Sequence, residues 1–162
     1  MKTTLTILIA IFCLNIQAQS YTFKTKPRAQ MTFWEKHSRT IGITAYHMAT
    51  VAVGSLGDAM NDEGQKNIGH ALKAVEVGML ISGPVLWKVQ WREGGVYLAS
   101  YVGHRIAEYD LWYGLYRDLG PMYNGGSSTW DKTMNKIPPH GRTFIKSLSF
   151  GFAIVVPINK LY

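Results

Sequence analysis

Seven polar side chains carry the chemistry this sequence could perform: His47, Asp58, Asp62, His70, Arg105, Glu108 and Asp110. Positions 47, 51, 54, 58 and 62 follow the i, i+4, i+7, i+11 spacing of one helix face. His47, Asp58 and Asp62 therefore fall on one line with Val51 and Gly54. On a helix otherwise built of Ile41, Ile43, Ala45, Met48, Val53 and Leu56, the ordinary reading of such a stripe is the solvent face. The solvent face is the favoured reading; against it, and for a site, the stripe lacks the Lys and Glu of a solvated face. His70 lies just past the turn that follows Asp62, so Asp58, Asp62 and His70 are expected to converge at one end of a helical hairpin. Imidazole and carboxylate are ligand types for zinc, manganese or iron. His47, Asp58, Asp62 and His70 are thus the candidate set for one divalent metal ion. No Glu-x-x-His and no His-x-x-x-His occurs, so the spacing leaves open that there is no cofactor.

A second set lies in 96–119, where Tyr97, Tyr101, Arg105, Glu108 or Tyr109, Trp112 and Tyr116 form an aromatic stripe around an arginine. Arg105 and Glu108 are i, i+3, His104 and Glu108 are i, i+4, and Asp110 and Arg117 are i, i+7. The plain reading is a half-buried face whose hydroxyls and ion pair satisfy one another. The functional reading makes Arg105, Glu108 and Asp110 a substrate-binding set in which Arg105 holds an anionic group by two parallel hydrogen bonds. Lys73 and Glu76 are spaced to pair on their own helix.

Other chemistries find no support. The single cysteine is Cys13, and no Gly-x-Ser-x-Gly occurs. Ser128-Thr129-Trp130-Asp131 has the spacing of a helix capping box, and His140 sits in Pro138-Pro139-His140-Gly141-Arg142 without a nucleophile beside it. No phosphate loop or dinucleotide fingerprint is present.

The elements that must position these residues are helical. Four apolar-periodic stretches are expected at 32–60, 65–90, 96–119 and 143–158, with a short helix after Ser128. Pro84 should kink or shorten the second, and Pro138-Pro139 should stop the short one. Only 21–23 and the tail hint at strands. The expected fold class is all-α, a four-helix bundle-like domain over 32–162 behind a basic extended lead at 19–31.

Residues 1–18 read as a signal peptide: Lys2 is the positive start, 5–14 the apolar core, and Ala18 the small residue before cleavage. Removal of this segment takes Cys13 with it, so the mature chain forms no disulfide. The expected location is an exported one, periplasm or cell-envelope membrane. The chain carries 17 Lys+Arg against 10 Asp+Glu. The basic excess sits at the ends: 19–42 and 131–162 each hold five basic and one acidic residue, and 43–130 holds six basic and eight acidic. This pattern suits an anionic lipid surface and not nucleic acid, which needs a basic face along one element. Four crossings behind a cleaved signal would leave both basic ends outside the cytoplasm, against the positive-inside tendency. A periplasmic bundle is therefore favoured over a multi-pass membrane protein. Charged residues make up only 17% of the chain, and Trp, Tyr and Phe number 5, 9 and 6, which keeps the membrane alternative close.

The runs Gly57-Asp58-Ala59-Met60-Asn61-Asp62 and Gly69-His70-Ala71-Leu72-Lys73-Ala74, the stretch 105–113 and the loop 123–131 resemble a family of small uncharacterised exported or membrane-associated proteins of Bacteroidota-type bacteria and their phages. The resemblance implies export and carries no activity, so it assigns no catalytic residue. It marks Asp58, His70, Arg105, Asp110 and Asp131 as the polar positions to test.

Three functions follow as expectations. One is a non-enzymatic envelope protein whose buried His/Asp/Arg network sets helix packing, in a structural or binding role. Another is a small metal-dependent hydrolase, with a metal-bound water as nucleophile and Arg105 orienting an anionic substrate. The third is a multi-pass membrane protein with an intramembrane polar site.

Overall fold

A computed structural model of the chain describes residues 32–120, 123 and 129–160. The expected signal peptide, extended lead and strand at 21–23, residues 161–162 and Ser128 of the expected capping box lie outside the described residues. Five α-helices run in order: α1 (Phe33–Asp62), α2 (Lys66–Leu86), α3 (Gly94–Tyr116), the short α4 (Thr129–Met134) and α5 (Pro139–Lys160). One 3₁₀ turn, Trp91–Glu93, precedes α3, and no strand occurs among the described residues. The all-α, bundle-like class is as expected.

The chain divides into two compact units, 1–36 and 37–162. Of the first, only the opening turn of α1 is described. There the Thr32 N–H donates to Glu35 Oε2 at 2.7 Å, and the Glu35 N–H donates to Thr32 Oγ1 at 3.3 Å. This reciprocal capping box satisfies two donors that a helix start leaves free.

Within 37–162 the turns come from local chemistry. Gly64 ends α1 at φ +82°, a left-handed conformation that costs glycine little. The Gln65 N–H then reaches back to the Met60 carbonyl at 2.9 Å. Three linking residues leave α2 antiparallel to α1. Helix α2 ends at Leu86, two residues after Pro84, and not at 90 as the periodicity suggested. Pro84 lacks an N–H, and Lys88 turns to φ 49°. Pro139 opens α5, where a missing N–H costs nothing. The last helix therefore starts earlier than the expected 143.

The helices pack closely where a glycine faces a neighbour. A Cβ on Gly57 would lie 3.1 Å from the Gly69 carbonyl oxygen across the α1–α2 contact, and one on Gly103 would lie 2.9 Å from the Ala153 Cβ across α3–α5. The apolar core is small. Ile43 and Tyr97 are fully buried, packed against Leu80, Trp87, Val89 and Val96. The buried set is otherwise rich in polar groups: Thr40, His47, Thr50, Ser55, Glu76, Ser100, His104, Glu108 and Asp110. Large apolar side chains, in contrast, line the outside of α2, α3 and α5. Among the described residues no helix is long and apolar enough, taken by itself, to cross a membrane.

Candidate functional site

The site is assembled where α1, α2 and α3 meet. Tyr101, Arg105 and Tyr109 repeat every four residues and so share one face of α3. Gly54 on α1 opens the space opposite, because a Cβ there would collide with the Glu76 carboxyl group of α2. Glu76 is 5% exposed and accepts from three donors. Lys73 Nζ reaches its Oε2 at 2.9 Å, the Tyr101 hydroxyl reaches Oε1 at 2.8 Å, and Arg105 Nη1 makes a short bond to the same oxygen. Lys73 also reaches Asp58 Oδ2 at 3.0 Å, and the Tyr109 hydroxyl donates to that oxygen. The Arg105 guanidinium lies over the Tyr109 ring, 4.8 Å from its centroid. Asp58, Lys73, Glu76 and Arg105 thus form one electrically balanced network that two tyrosine hydroxyls complete. Removing one member of such a set leaves another charge unpaired, which is the costly event in a low-dielectric interior.

A second group joins α1, α3 and α5. His47 Nδ1 is 3.2 Å from the Ser100 hydroxyl, and Ser100 donates to the Ala153 carbonyl at 2.8 Å. His104 Nδ1 lies 2.6 Å from Glu108 Oε1, and Trp112 Nε1 donates to Glu108 Oε2 at 3.3 Å. Lys146 of α5 pairs with Asp110 at 2.8 Å. At the ends of α1 and α3, Tyr113 donates to Asp62, while Arg117 lies 3.7 Å from Asp62 and 3.6 Å from Glu63.

These placements rearrange several expectations. The stripe of His47, Val51 and Gly54 is buried and faces neighbouring helices, not solvent; only its far end, at Asp62, is exposed. Asp58 and Asp62 separate toward different partners, and His70 is exposed and joins neither. The convergence of these three is therefore not formed, because Lys73, one turn past His70, reaches Asp58 instead. Among the described residues no three His, Cys, Asp or Glu side chains gather around one position, so His47, Asp58, Asp62 and His70 are not brought together. Arg105 pairs across to Glu76 and not with Glu108 on its own helix, and Asp110 pairs with Lys146 and not with Arg117. Arg105, Glu108 and Asp110 thus face three different partners. The Lys73–Glu76 pair forms as expected.

The residues that sequence reasoning missed as a site are Glu76, Ser100 and Lys146. Each has a partner on another helix, which spacing along one helix cannot reveal. Gly54 was a usable signal, since a glycine on a polar stripe marks room for a neighbour's side chain.

An open groove of about 800 Å³ runs along α3 and α5, lined by Val102, Ile106, Leu148, Phe152 and Val155 among others. Comparison with protein-family models, with curated proteins and with solved structures finds no match.

Proposed function

We propose that the chain is an exported cell-envelope protein whose helical bundle sits in lipid with its polar network turned inward, in a structural or binding role. The observation that carries this reading is an inverted surface. Ile81, Val85 and Phe144 are 70%, 79% and 67% exposed, whereas Glu76 and Asp110 are 5% and 7% exposed. A bundle folded in water has the opposite arrangement, and apolar surface spread over three helices needs a cover.

Dimensions support the reading. Helices α2, α3 and α5 have 21, 23 and 22 residues, which at 1.5 Å per residue comes to about 32–35 Å, enough to span the ~30 Å hydrocarbon layer. Hydropathy taken along one helix is lowered by Glu76, Arg105, Glu108, Asp110 and Lys146. Those groups are met by partners inside the bundle, the usual condition for ionisable residues at membrane depth. The apolar groove between α3 and α5 suits acyl chains. The basic stretches 19–42 and 131–162 suit anionic headgroups. The inverted surface outweighs the charge placement that favoured a periplasmic bundle, since positive charge sets orientation as a tendency and not as a requirement.

The test is fractionation of cells expressing the tagged protein, followed by an alkaline carbonate wash. Retention in the membrane pellet until detergent is added is the expected result. Release by carbonate alone would overturn the reading and leave a periplasmic bundle.

A further inference from the structure

The connection between α2 and α3 is tied down on every side, yet it leaves a tryptophan in the open. Trp91 is 97% exposed, more than any other large apolar side chain among the described residues. The backbone that carries it is well fixed. The Lys88 N–H reaches the Val85 carbonyl at 3.2 Å and the Val89 N–H reaches the Pro84 carbonyl at 2.8 Å. These are the paired bonds that close a helix end around one left-handed residue. That residue is Lys88, at φ 49°, where glycine is the rule because a Cβ strains the conformation. Arg39 donates to the Trp87 and Lys88 carbonyls. The Gln90 N–H donates to Glu93 Oε2 at 2.8 Å, and the Glu93 N–H returns to the Gln90 carbonyl at 2.9 Å. A fixed turn with a strained lysine and an uncovered tryptophan holds those side chains for something outside the bundle.

The surroundings select the partner. Apolar outer surface runs into the turn along α2 through Ile81, Val85 and Leu86, and out of it along α3 through Leu98 and Val102. Between these faces Lys88, Gln90, Trp91 and Arg92 are exposed. The acidic member of the turn, Glu93, is taken up by Arg39 at 2.9 Å, so the outward charge is that of Lys88 and Arg92. Tryptophan between two cations at the end of an apolar face is the composition of the membrane–water boundary. There the indole lies among headgroups and the long cationic side chains reach phosphate. We infer that the 87–93 turn anchors the bundle to the headgroups of anionic phospholipid, with Trp91 at the boundary and Lys88 and Arg92 on the phosphates. The anchor rests on the lipid-seated reading and adds to it the level of the boundary. Counting charges does not reveal it, because the turn belongs to 43–130, where acids outnumber bases.

The test reconstitutes the full-length protein into vesicles of phosphatidylcholine with or without about one third phosphatidylglycerol. Emission from Trp91 is isolated as the difference between wild type and Trp91→Phe. Strong quenching by a spin label on the lipid headgroup is expected, with little from a label deep in the acyl chain or from aqueous acrylamide. Headgroup-labelled phosphatidylglycerol should quench Trp91 better than labelled phosphatidylcholine at equal mole fraction. Lys88→Gly and Arg92→Gln should each lower that preference by up to about fivefold, the factor for ~1 kcal/mol per charge at an anionic surface. Lys88→Gly also relieves the left-handed strain, so it should unfold in detergent at or above the wild-type temperature. A lost anchor is thereby told apart from a lost fold. Protein that floats with the vesicles while Trp91 stays open to acrylamide overturns the anchor and leaves the lipid-seated bundle standing. Headgroup quenching with no preference for phosphatidylglycerol, or a preference unchanged in both variants, overturns the anionic partner. Protein that floats with neither kind of vesicle overturns the lipid-seated reading and the anchor with it.

Discussion

Three polar contacts from two helices converge on Glu76. It accepts from Lys73, Tyr101 and Arg105 while 5% exposed, so Glu76→Ala leaves the Arg105 guanidinium without its carboxylate, while Lys73 keeps Asp58. The expected loss is about 3 kcal/mol, read as a lower midpoint of thermal unfolding in detergent. The double variant Glu76→Ala/Arg105→Ala should lose clearly less than the two single losses added together, because the stranded charge is gone. Additive losses would show that the contact carries no coupling. Gly54 tests the same packing from the other side. A methyl group at Gly54 meets the Glu76 carboxyl, whereas one at Gly78 on α2 meets nothing within 4 Å. Gly54→Ala should cost about 2 kcal/mol. Gly78→Ala should be neutral or gain up to ~1 kcal/mol from the helix preference of alanine.

At the scale of elements, α1 is clasped to the connection between α2 and α3. Arg39 donates to the carbonyls of Trp87 and Lys88 at 3.0 and 2.9 Å and pairs with Glu93 at 2.9 Å. That guanidinium holds the Glu93 carboxyl below its ordinary value. A carboxylate lowered on folding contributes stability that is present above its unfolded value and lost as pH falls through the folded one. Wild-type protein should therefore lose stability on acidification below about pH 4, and Arg39→Gln should lack that component. Matching pH profiles for the two proteins would remove the clasp from the account. Much of this level was legible in the sequence. The 3.6-residue periodicity and the Gly64 and Pro84 breaks located the helices, and the Lys73–Glu76 spacing anticipated a real pair. What was not legible was the partner of Arg105. Glu108 is closer in sequence, but Glu76 enters from α2 only because Gly54 on α1 makes room, and three-helix geometry does not appear in one-helix spacing. The same reason sent Asp110 to Lys146 and left His70 outside.

At the scale of the molecule, polar groups face inward and apolar ones outward. Ile81 and Glu76 lie on one helix, 70% and 5% exposed. In water, Ile81→Lys should change stability by no more than about 0.5 kcal/mol, as surface substitutions do. In lipid, a lysine at this depth costs on the order of 3 kcal/mol. The expected result is a reduced membrane-integrated fraction for Ile81→Lys, with detergent-solubilised protein that still unfolds near the wild-type temperature. An unchanged membrane fraction would count against the lipid-seated bundle. Ser100 gives the assembly a mechanical property. Its hydroxyl stands between an imidazole of α1 and a carbonyl of α5, so it acts as a shear pin through three helices. Sliding α5 by one residue, about 1.5 Å, would break the 2.8 Å bond to Ala153 and free the serine proton to turn toward His47. The register of α5 and the direction of the Ser100 hydroxyl beside His47 are therefore linked through one side chain.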